Sequence, residues 1–249
     1  MRMKVIVCLP AYEEEENLPA LLSEIHETLT ESSFPYEIVV VDDGSKDRTA
    51  EVATQLAAKY QIRVLRHQIN SGLGEALRTG LSAALQMAQD RDAIVTMDAD
   101  NTHSPRLLLR IIRVLQEGND VVIASRYVGG ANIRGLSLFR RFLSFVAMIL
   151  FRVVFPTRNV RDYTCGYRAY NVSILRKAFT HYGDSLISQK GFACMVDILL
   201  KLRAIDAIMA EVPLVLRYDR KAGMSKMKVL STIKSTLLLL AKRRLGNYD

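Results

Sequence analysis

Two aspartates separated by one residue end an apolar run in the stretch DAIVTMDADNTHSP, residues 92–105. Asp98 and Asp100 alternate with Ala99, and alternate side chains of extended backbone point to the same side, so both carboxylates can reach one cation. Oxygen ligands of this kind suit Mg²⁺ or Mn²⁺, which keep water ligands and share the phosphates of a substrate. His103 is a further candidate ligand. The stretch predicts a metal and diphosphate site, with a plain turn or cap as the alternative.

A second acidic pair ends the run VVVDDGSKDRT. Asp47 is well placed to cap the helix that follows, and Gly44 to make the turn. Neither role accounts for Asp42 and Asp43. Paired acids at a strand end beside a crevice can accept hydrogen bonds from ribose hydroxyls or a base N–H. We therefore expect this pair to bind a nucleotide.

A glycine-containing stretch, NSGLGEALRTG, opens a helical pattern. Its glycines, Gly74 among them, would let backbone N–H groups approach a phosphate. One GxG motif is weak evidence by itself, so this contact is an expectation that depends on the other motifs.

The elements that position these residues alternate along the first half of the chain. Short β-branched runs such as KVIVCL, YEIVVVDD and DVVIAS are separated by helical patterns such as ENLPALLSEIHETL. The alternation predicts an α/β fold in which helices flank a mostly parallel central sheet. Ligands bind beyond the carboxyl ends of strands in such sheets. The stretches PAYEEEEN, DDGSKD and DADNTH follow the first, second and fourth predicted strands, so they are expected to converge on one crevice.

Charge is divided unequally along the chain. Residues 1–125 hold 12 Lys and Arg against 19 Asp and Glu, a net charge of −7, whereas residues 126–249 hold 22 against 7, a net charge of +15. The basic half predicts a polyanionic partner, which is a nucleic acid, a diphosphate or an anionic membrane surface. No helix-turn-helix, RRM or OB pattern accompanies the charge, so we expect no nucleic acid.

Length and cysteine usage limit the class of protein. The 249 residues suit a single α/β domain. Three widely spaced cysteines predict neither a disulfide framework nor a zinc site, and buried core positions are expected. The N-terminal stretch MRMKVIVCLP lacks the pattern of a secretory signal, which predicts a cytosolic protein.

Two apolar segments in the second half carry basic residues at intervals. In LSLFRRFLSFVAMILFRVVFP the longest uncharged run, Phe142–Phe151, has ten residues. A transmembrane helix needs about 20, so no membrane-spanning helix is expected. Residues 229–244, VLSTIKSTLLLLAKRR, form the second segment. Both predict amphipathic helices in the headgroup layer of a membrane, and the alternative is ordinary helices packed on the sheet.

Seven stretches taken together resemble the family 2 glycosyltransferases of the GT-A fold. They are LPAYEEEENLPAL, VVVDDGSKDRT, GLGEALRTG, DADNTHSP, SRYVGG, GYRAY and RKAGMSKM. The resemblance is to the polyprenyl-phosphate branch, which includes the dolichyl-phosphate mannosyltransferases, and it runs in order from residue 3 to about residue 240. Their fold and reaction are therefore the expectation for this chain.

The resemblance implies roles on the donor side. The positions that hold the donor nucleotide are matched by Pro10, Ala11, Tyr12, Glu14 and Asp43. The aspartates that handle the metal, Mg²⁺ or Mn²⁺, and the donor diphosphate are matched by Asp98 and Asp100. A basic loop that closes over the donor is matched by Arg220 and Lys226. We expect Asp42 and Gly74 to join the same donor site.

On the acceptor side, the family's phosphate cradle is matched by Arg126, Arg140 and Ser144. A phosphomonoester has a second pKa near 6, so a lipid phosphate is already a dianionic nucleophile at neutral pH. It needs orientation by forked arginine donors rather than a strong base. With Asp100 and Arg220, the two arginines are the expected catalytic residues.

The implied reaction is inverting transfer of a hexose, with mannose from GDP-mannose as the first expectation, to polyprenyl or dolichyl phosphate. Residues 1–125 would bind the nucleotide sugar, and residues 126–249 would bind the acceptor and face the cytosolic surface of an anionic membrane. The protein would dock there peripherally, directly or through a small membrane-anchoring partner.

Three alternatives remain open at this point. The donor could be a UDP-sugar such as UDP-glucose or UDP-GlcNAc. The acceptor could be a hydroxyl group, which requires an aspartate base, and Asp197 is a candidate for a base or donor role that could equally be bonded to a basic neighbour. A basic membrane-surface adaptor would leave Asp98 and Asp100 without a role.

Three residues depart from the family pattern. Glu13 stands where relatives commonly have asparagine, and Asn101 stands where they have an apolar residue. Thr102 stands where some relatives carry a glutamine near the metal. The third protein ligand of the metal is therefore open.

Overall fold

The structure is a computed structural model that describes residues 3–222 and 238–244, apart from the side chains of Phe139 and Arg140. Strands and helices alternate through its first half, as the sequence predicts. They are β1 (Val5–Ala11), α1 (Leu18–Glu31), β2 (Tyr36–Asp42), α2 (Thr49–Leu56), β3 (Ile62–Arg66), α3 (Leu73–Met87), β4 (Ala93–Thr96), α4 (Leu108–Gln116) and β5 (Val121–Ser125).

The second half adds further elements with less regular alternation. They are β6 (Asn132–Arg134), α5 (Leu138–Val154), β7 (Arg168–Asn171), α6 (Val172–Tyr182), α7 (Ala193–Ala204), β8 (Met209–Pro213) and β9 (Val215–Arg217). Three short 3₁₀ turns lie at Pro105–Leu107, Gly183–Ile187 and Tyr218–Arg220. Residues 238–244 are helical.

The central sheet has seven strands in the order β3-β2-β1-β4-β7-β5-β8. Neighbouring strands are parallel except at β7, which runs antiparallel between β4 and β5. A separate parallel pair joins β6 to β9. The expected α/β fold with a mostly parallel sheet is confirmed, and strands of the second half complete the sheet that the first half begins.

The core lies on both faces of this sheet. The side chains of β4 and β5 are buried throughout, and those of β1 and β2 nearly so. Parallel strands covered on both faces read as continuous apolar runs, which explains VIVCL and VVIA. Cys8, Cys165 and Cys194 are free, buried thiols as expected, and burial raises the pKa of each to about 12.

Helix α5 is apolar on two sides. Phe151 is buried and stacks on Tyr163 with ring centroids 5.3 Å apart. The outer side exposes seven large apolar residues, which are Leu138, Phe142, Phe145, Val146, Ile149, Leu150 and Val153. Soluble surfaces rarely expose so continuous an apolar stripe without a partner. One side of the helix therefore packs on the protein, as the packed-helix interpretation expects. The other side exposes an apolar face, as the interpretation of a helix in the headgroup layer requires.

Within the described residues, the helices are too short or too polar to cross a bilayer. Residues 229–237 of the second amphipathic segment lie outside the described residues. At its end, Leu239 and Leu240 are buried in the core. For this described part the packed-helix interpretation holds.

Candidate active site

The acidic stretches of the first half meet at the carboxyl edge of the sheet. Ala11 pairs with Asp42 at the ends of β1 and β2. The Asp43 N–H donates to the Ala11 carbonyl at 2.8 Å, and the Met97 N–H, just beyond β4, donates to the Cys8 carbonyl at 3.1 Å. The strand order places these three strand ends side by side, so the predicted convergence is confirmed.

The two aspartates after β4 have different surroundings. The Asp98 side chain is 37% exposed, with a carboxylate oxygen 3.9 Å from Nε2 of buried His103. Asp100 is enclosed: its Oδ1 accepts a hydrogen bond from the Thr102 hydroxyl at 2.7 Å, and the Lys221 ammonium lies 2.6 Å from its Oδ2. Thr102, which stands where some relatives carry a glutamine, here donates its hydroxyl to Asp100 and helps to orient that carboxylate.

Electrostatics separates the two acids. Partial loss of water around the half-buried carboxyl raises the pKa of Asp98, the charge of Asp100 adds to the effect, and His103 and Lys221 oppose it. Burial also acts to raise the pKa of Asp100, but Lys221 and His103 outweigh it and lower that pKa overall. Neighbouring acids whose pKa values are driven apart are typical of functional sites.

The pair fits a divalent cation. Asp100 already binds an internal cation, and the Asp98 carboxylate receives no hydrogen bond from any described residue, so its oxygens are available. No cluster of three His, Cys, Asp or Glu side chains with metal-site geometry occurs in the described ranges. Two carboxylates with room for water and substrate oxygens are a ligand set of the kind that Mg²⁺ and Mn²⁺ accept, and the metal itself stays a prediction.

Asp43 organises the loops around the donor crevice. Its Oδ1 accepts from His67 Nδ1 at 2.7 Å and from the Ser71 N–H at 2.9 Å, and its Oδ2 accepts from the Gly72 N–H at 2.8 Å. The second ring nitrogen of His67 lies 3.0 Å from the Thr79 hydroxyl. Asp43 thus ties the end of β2 to the start of α3, and its contact with a nucleotide stays a prediction.

The other predicted donor residues lie on the same edge. Pro10 ends β1 with Ala11, and Tyr12 follows half-buried. Asp42 is fully buried, with one carboxylate oxygen 3.2 Å from Arg66 Nε. Glu14 is buried and accepts from the Asn17 amide at 2.7 Å. The structure brings these residues together, and their individual contacts with a ligand remain predictions.

Two glycines are required by close packing at this edge. A Cβ on Gly74 would lie 1.9 Å from the Gln189 carbonyl oxygen, and the Gly74 N–H donates to the Lys190 carbonyl at 2.9 Å. A Cβ on Gly166, in GYRAY, would lie 2.9 Å from an oxygen of Asp98. The Gly74 N–H therefore binds the loop that contains Gln189 and Lys190, and its contact with a phosphate stays a prediction.

Arg126 is held by an aspartate that the sequence analysis missed. Asp162 accepts from Nε of Arg126 at 2.8 Å and from Nη2 at 2.7 Å, and it also accepts from the Arg126 backbone N–H. Asp162 is fully buried, whereas the arginine side chain keeps 16% of its surface. Burial opposes the charge of Asp162, but Arg126 outweighs it and lowers the pKa of Asp162 overall. Only the tertiary structure reveals this partner.

Tyr127 connects Arg126 to the predicted acceptor residues on α5. Its hydroxyl lies 2.6 Å from the Ser144 hydroxyl and donates to the Ser144 carbonyl at 2.8 Å. Arg126 also contributes to the field at Asp98. Arg140 lies in α5, but its side chain is outside the described residues. Arg126 therefore lies within electrostatic range of Asp98, and the acceptor roles of Arg126, Arg140 and Ser144 stay predictions.

The chain segment 220–222 is tethered at three points above the donor crevice. Arg220 pairs with Glu24 of α1 at 3.1 Å, Lys221 pairs with Asp100, and the Ala222 N–H donates to the Asn17 side chain at 3.0 Å. Lys221 was missed although it follows Arg220 in the RKAGMSKM stretch. Lys226 lies outside the described residues.

Asp197, a candidate base, is part of a buried charged network instead. One carboxylate oxygen accepts from Arg243, and the other accepts from the Ser188 hydroxyl at 2.7 Å and from Lys201 at 3.2 Å. The side chains of Asp197, Lys201 and Arg243 have no exposed surface. The network ties helical residues 238–244 to α7 and to the loop that receives Gly74. The alternative of a basic neighbour therefore holds.

Two departures from the family pattern have left-handed backbone. Glu13 has φ +54° and Asn101 has φ +60°. Asparagine tolerates this region, whereas glutamate is disfavoured there. The Glu13 N–H donates to the Ser45 hydroxyl at 2.9 Å, which helps to hold the turn. Both residues follow strand ends at the candidate site.

Comparison with known proteins shows the family of the chain. The family described as Glycosyl transferase family 2 matches residues 6–179. The chain is 35% identical to a dolichol-phosphate mannosyltransferase from Pyrococcus furiosus over 91% of its own length and 60% of that protein, so it spans less than two thirds of that relative. It is 31% identical to a polyprenol monophosphomannose synthase from Mycolicibacterium smegmatis over 96% of its length and 86% of that protein.

Solved structures agree on the fold. Glucosyl-3-phosphoglycerate synthase from Mycobacterium tuberculosis superposes with a TM-score of 0.68 at 22% identity, over 100% of this chain and 81% of that one. That protein is a GT-A glycosyltransferase, and the fold expectation is confirmed.

Proposed function

This chain belongs to glycosyl transferase family 2, and from that premise we propose that it transfers mannose from GDP-mannose to a polyprenyl phosphate at the cytosolic surface of a membrane. One observation carries the proposal. The acidic pair Asp98 and Asp100 lies next to Arg126, which Tyr127 joins to the outward-facing apolar helix α5. A charged donor and a lipid acceptor would meet there.

The acceptor side supports phosphate as the nucleophile. A phosphate that is already dianionic needs positive, directional groups rather than a base. Arg126 is fixed by two hydrogen bonds to Asp162, so little side-chain entropy remains to be lost when it binds an oxygen. A hydroxyl acceptor would need a base, and Asp197 is buried and bonded to cations.

The donor side supports a nucleoside diphosphate. Asp98 and Asp100 would hold Mg²⁺ or Mn²⁺, which neutralises charge on the departing diphosphate when it is bound. Lys221, Arg220 and the predicted Lys226 are the basic groups of the loop above it. As the acceptor phosphate attacks the anomeric carbon and inverts it, these groups would stabilise the leaving group. The two relatives named as mannose-transferring enzymes support mannose as the sugar.

The outer face of α5 supports a membrane position. Its exposed apolar residues would insert into the headgroup layer, and Arg141 and Arg152 lie three helical turns apart beside that face. A helix lying there supports the predicted acceptor roles of Ser144 and Arg140. Direct docking and a separate membrane-anchoring partner both fit this geometry.

The test is a transfer assay with radiolabelled GDP-mannose, UDP-glucose and UDP-GlcNAc, each offered with polyprenyl phosphate and with the corresponding free polyprenol. The proposal expects product only from GDP-mannose and only with the phosphate acceptor. Product from a UDP-sugar would overturn the donor assignment, and product with polyprenol would overturn phosphate attack.

A further inference from the structure

A basic cleft lies next to α5, apart from the candidate active site. Its volume is about 650 Å³, within the usual range of ligand sites. It is lined by the end of α5, the loop that follows, the segment after β5, and β8. Three arginines dominate the lining, which are Arg152, Arg158 and Arg161. We call these residues and the space between them the arginine cleft.

The three arginines are exposed, and among the residues that the structure describes none forms an ion pair. One Arg161 nitrogen donates to the Tyr127 carbonyl at 3.2 Å. The one acid in the lining is Glu211, whose Oε1 accepts the N–H groups of Arg161 and Asp162 at 2.7 and 2.6 Å. Three positive charges against one acid leave the cleft net positive.

The position of Arg152 relates the cleft to the membrane. It lies between exposed Ile149 and Val153 in sequence, and on the helix it borders the apolar face. When that face is buried in the headgroup layer, an arginine at its border reaches the level of lipid phosphates. In that position Arg152 would hold one side of the cleft at that level.

We propose that the arginine cleft binds the phosphate of an anionic membrane lipid, as a docking site distinct from the acceptor site. Forked guanidinium donors match phosphate oxygens better than ammonium groups do. The occupant is a lipid rather than a free phosphate because the cleft adjoins the exposed apolar face of α5. The inference rests on the proposed membrane position, but it is independent of which sugar is transferred.

The test compares binding to vesicles of phosphatidylcholine alone and of phosphatidylcholine with phosphatidylglycerol, measured by cosedimentation without any sugar donor. The cleft variant is Arg152→Gln, Arg158→Gln and Arg161→Gln together. Its binding to the anionic vesicles should fall on the order of 100-fold, about fivefold for each charge. A matched variant with Lys59→Gln, Arg63→Gln and Arg113→Gln removes the same charge from other exposed positions and should lose less than about fivefold. Equal losses would overturn the cleft as a site.

Two further measurements sharpen the outcome. Replacing the three cleft arginines with lysine keeps the charge and should still cost roughly tenfold in anionic-vesicle binding, because the forked geometry is lost. Full retention would reduce the cleft to a nonspecific patch and overturn the proposal. Inorganic phosphate should not raise the melting temperature at millimolar concentration, and a rise lost in the cleft variant would overturn the lipid source.

Folding and catalysis serve as controls. The double variant of Arg152→Gln and Arg158→Gln should keep the wild-type melting temperature and full transfer to a short-chain acceptor in detergent, since of the three arginines only Arg161 is bonded to Tyr127 among the described residues. If the triple variant melts early, Arg158→Gln alone should lower anionic-vesicle binding about fivefold, and no loss would contradict the proposal. Failure of transfer in the wild type would count against the proposed function and leave the vesicle result standing.

Discussion

Two regions of the carboxyl edge handle charge in opposite ways. The acidic region consists of the loops after β1, β2 and β4, where Asp100 is paired with Lys221 and Asp42 with Arg66. The basic region consists of α5 and the loop after it, where Arg152 and Arg158 have no acidic partner among the described residues. A cation that binds Asp100 must therefore displace Lys221. An anion that binds Arg152 or Arg158 displaces no acidic partner among the described residues.

The largest effect is expected for a substitution at Asp100 in the acidic region. Asp100→Asn keeps the shape but removes the charge that would bind a metal, so transfer should fall at least 1000-fold, about 4 kcal/mol of transition-state stabilisation. Steady-state turnover with saturating Mn²⁺ measures this. Asp90→Asn, an exposed surface change, should stay within about twofold of wild type. Near-normal turnover of the Asp100 variant would remove this residue from catalysis.

The buried network around Asp197 tests whether charge in the second half can also be structural. Asp197→Ala leaves Lys201 and Arg243 buried without a counter-ion, which should cost roughly 3–5 kcal/mol of folding stability. Thermal denaturation should show a melting temperature lower by about 10 °C. Asp184→Ala, at an exposed position, is the control. A variant that keeps its stability but loses transfer would restore the catalytic interpretation of Asp197.

The ion pair between Asp162 and Arg126 predicts that folding stability falls as the pH is lowered. Because the folded pKa of Asp162 is lowered below its unfolded value, its contribution to stability is complete above about pH 5 and is lost as pH falls through the folded pKa. Asp162→Asn should lose roughly 3 kcal/mol at pH 7, and the difference from wild type should shrink on acidification. Denaturant unfolding from pH 7 to pH 3 measures it. A constant difference would show that the ion pair does not carry the effect.

Lys221 tests the acidic region directly, because a metal that binds Asp100 must displace the Lys221 ammonium. Lys221→Met removes the ammonium 2.6 Å from Asp100 and should raise Mn²⁺ affinity about tenfold, equal to about 1.4 kcal/mol. Calorimetric titration without a donor reports this directly. Lys46→Met, at an exposed position, serves as the matched control. Weaker binding in the Lys221 variant would mean that this lysine helps to hold the metal site together.

The smallest expected effect concerns Glu13. Glu13→Asn places a residue that tolerates left-handed backbone at φ +54° and should stabilise the fold by about 1 kcal/mol. The melting temperature should rise by about 2–4 °C. Thermal denaturation in metal-free buffer measures it. An unchanged or lower value would indicate that contacts of the glutamate outweigh the backbone strain.

Much of the fold could be predicted because its signals are local. Continuous apolar runs such as VIVCL have the length and composition of buried parallel strands, and acidic stretches after them mark the carboxyl edge. The antiparallel strand β7 could not be predicted in this way. Residues 168–171 are only four residues long, and their direction depends on the strands beside them.

The site divides in the same manner. The sequence by itself determined which residue types follow each strand, among them Asp98, Asp100 and Arg126. Because the carboxyl ends of parallel strands lie at one edge of a sheet, it also predicted that these residues lie near one another. Only the tertiary structure decided their partners. Lys221 reaches Asp100 across 121 positions of sequence, and Asp162 reaches Arg126 across 36. Ion pairs form between groups that folding brings together, and charge at one position contains no information about which distant opposite charge the packed backbone will place within a few ångströms of it.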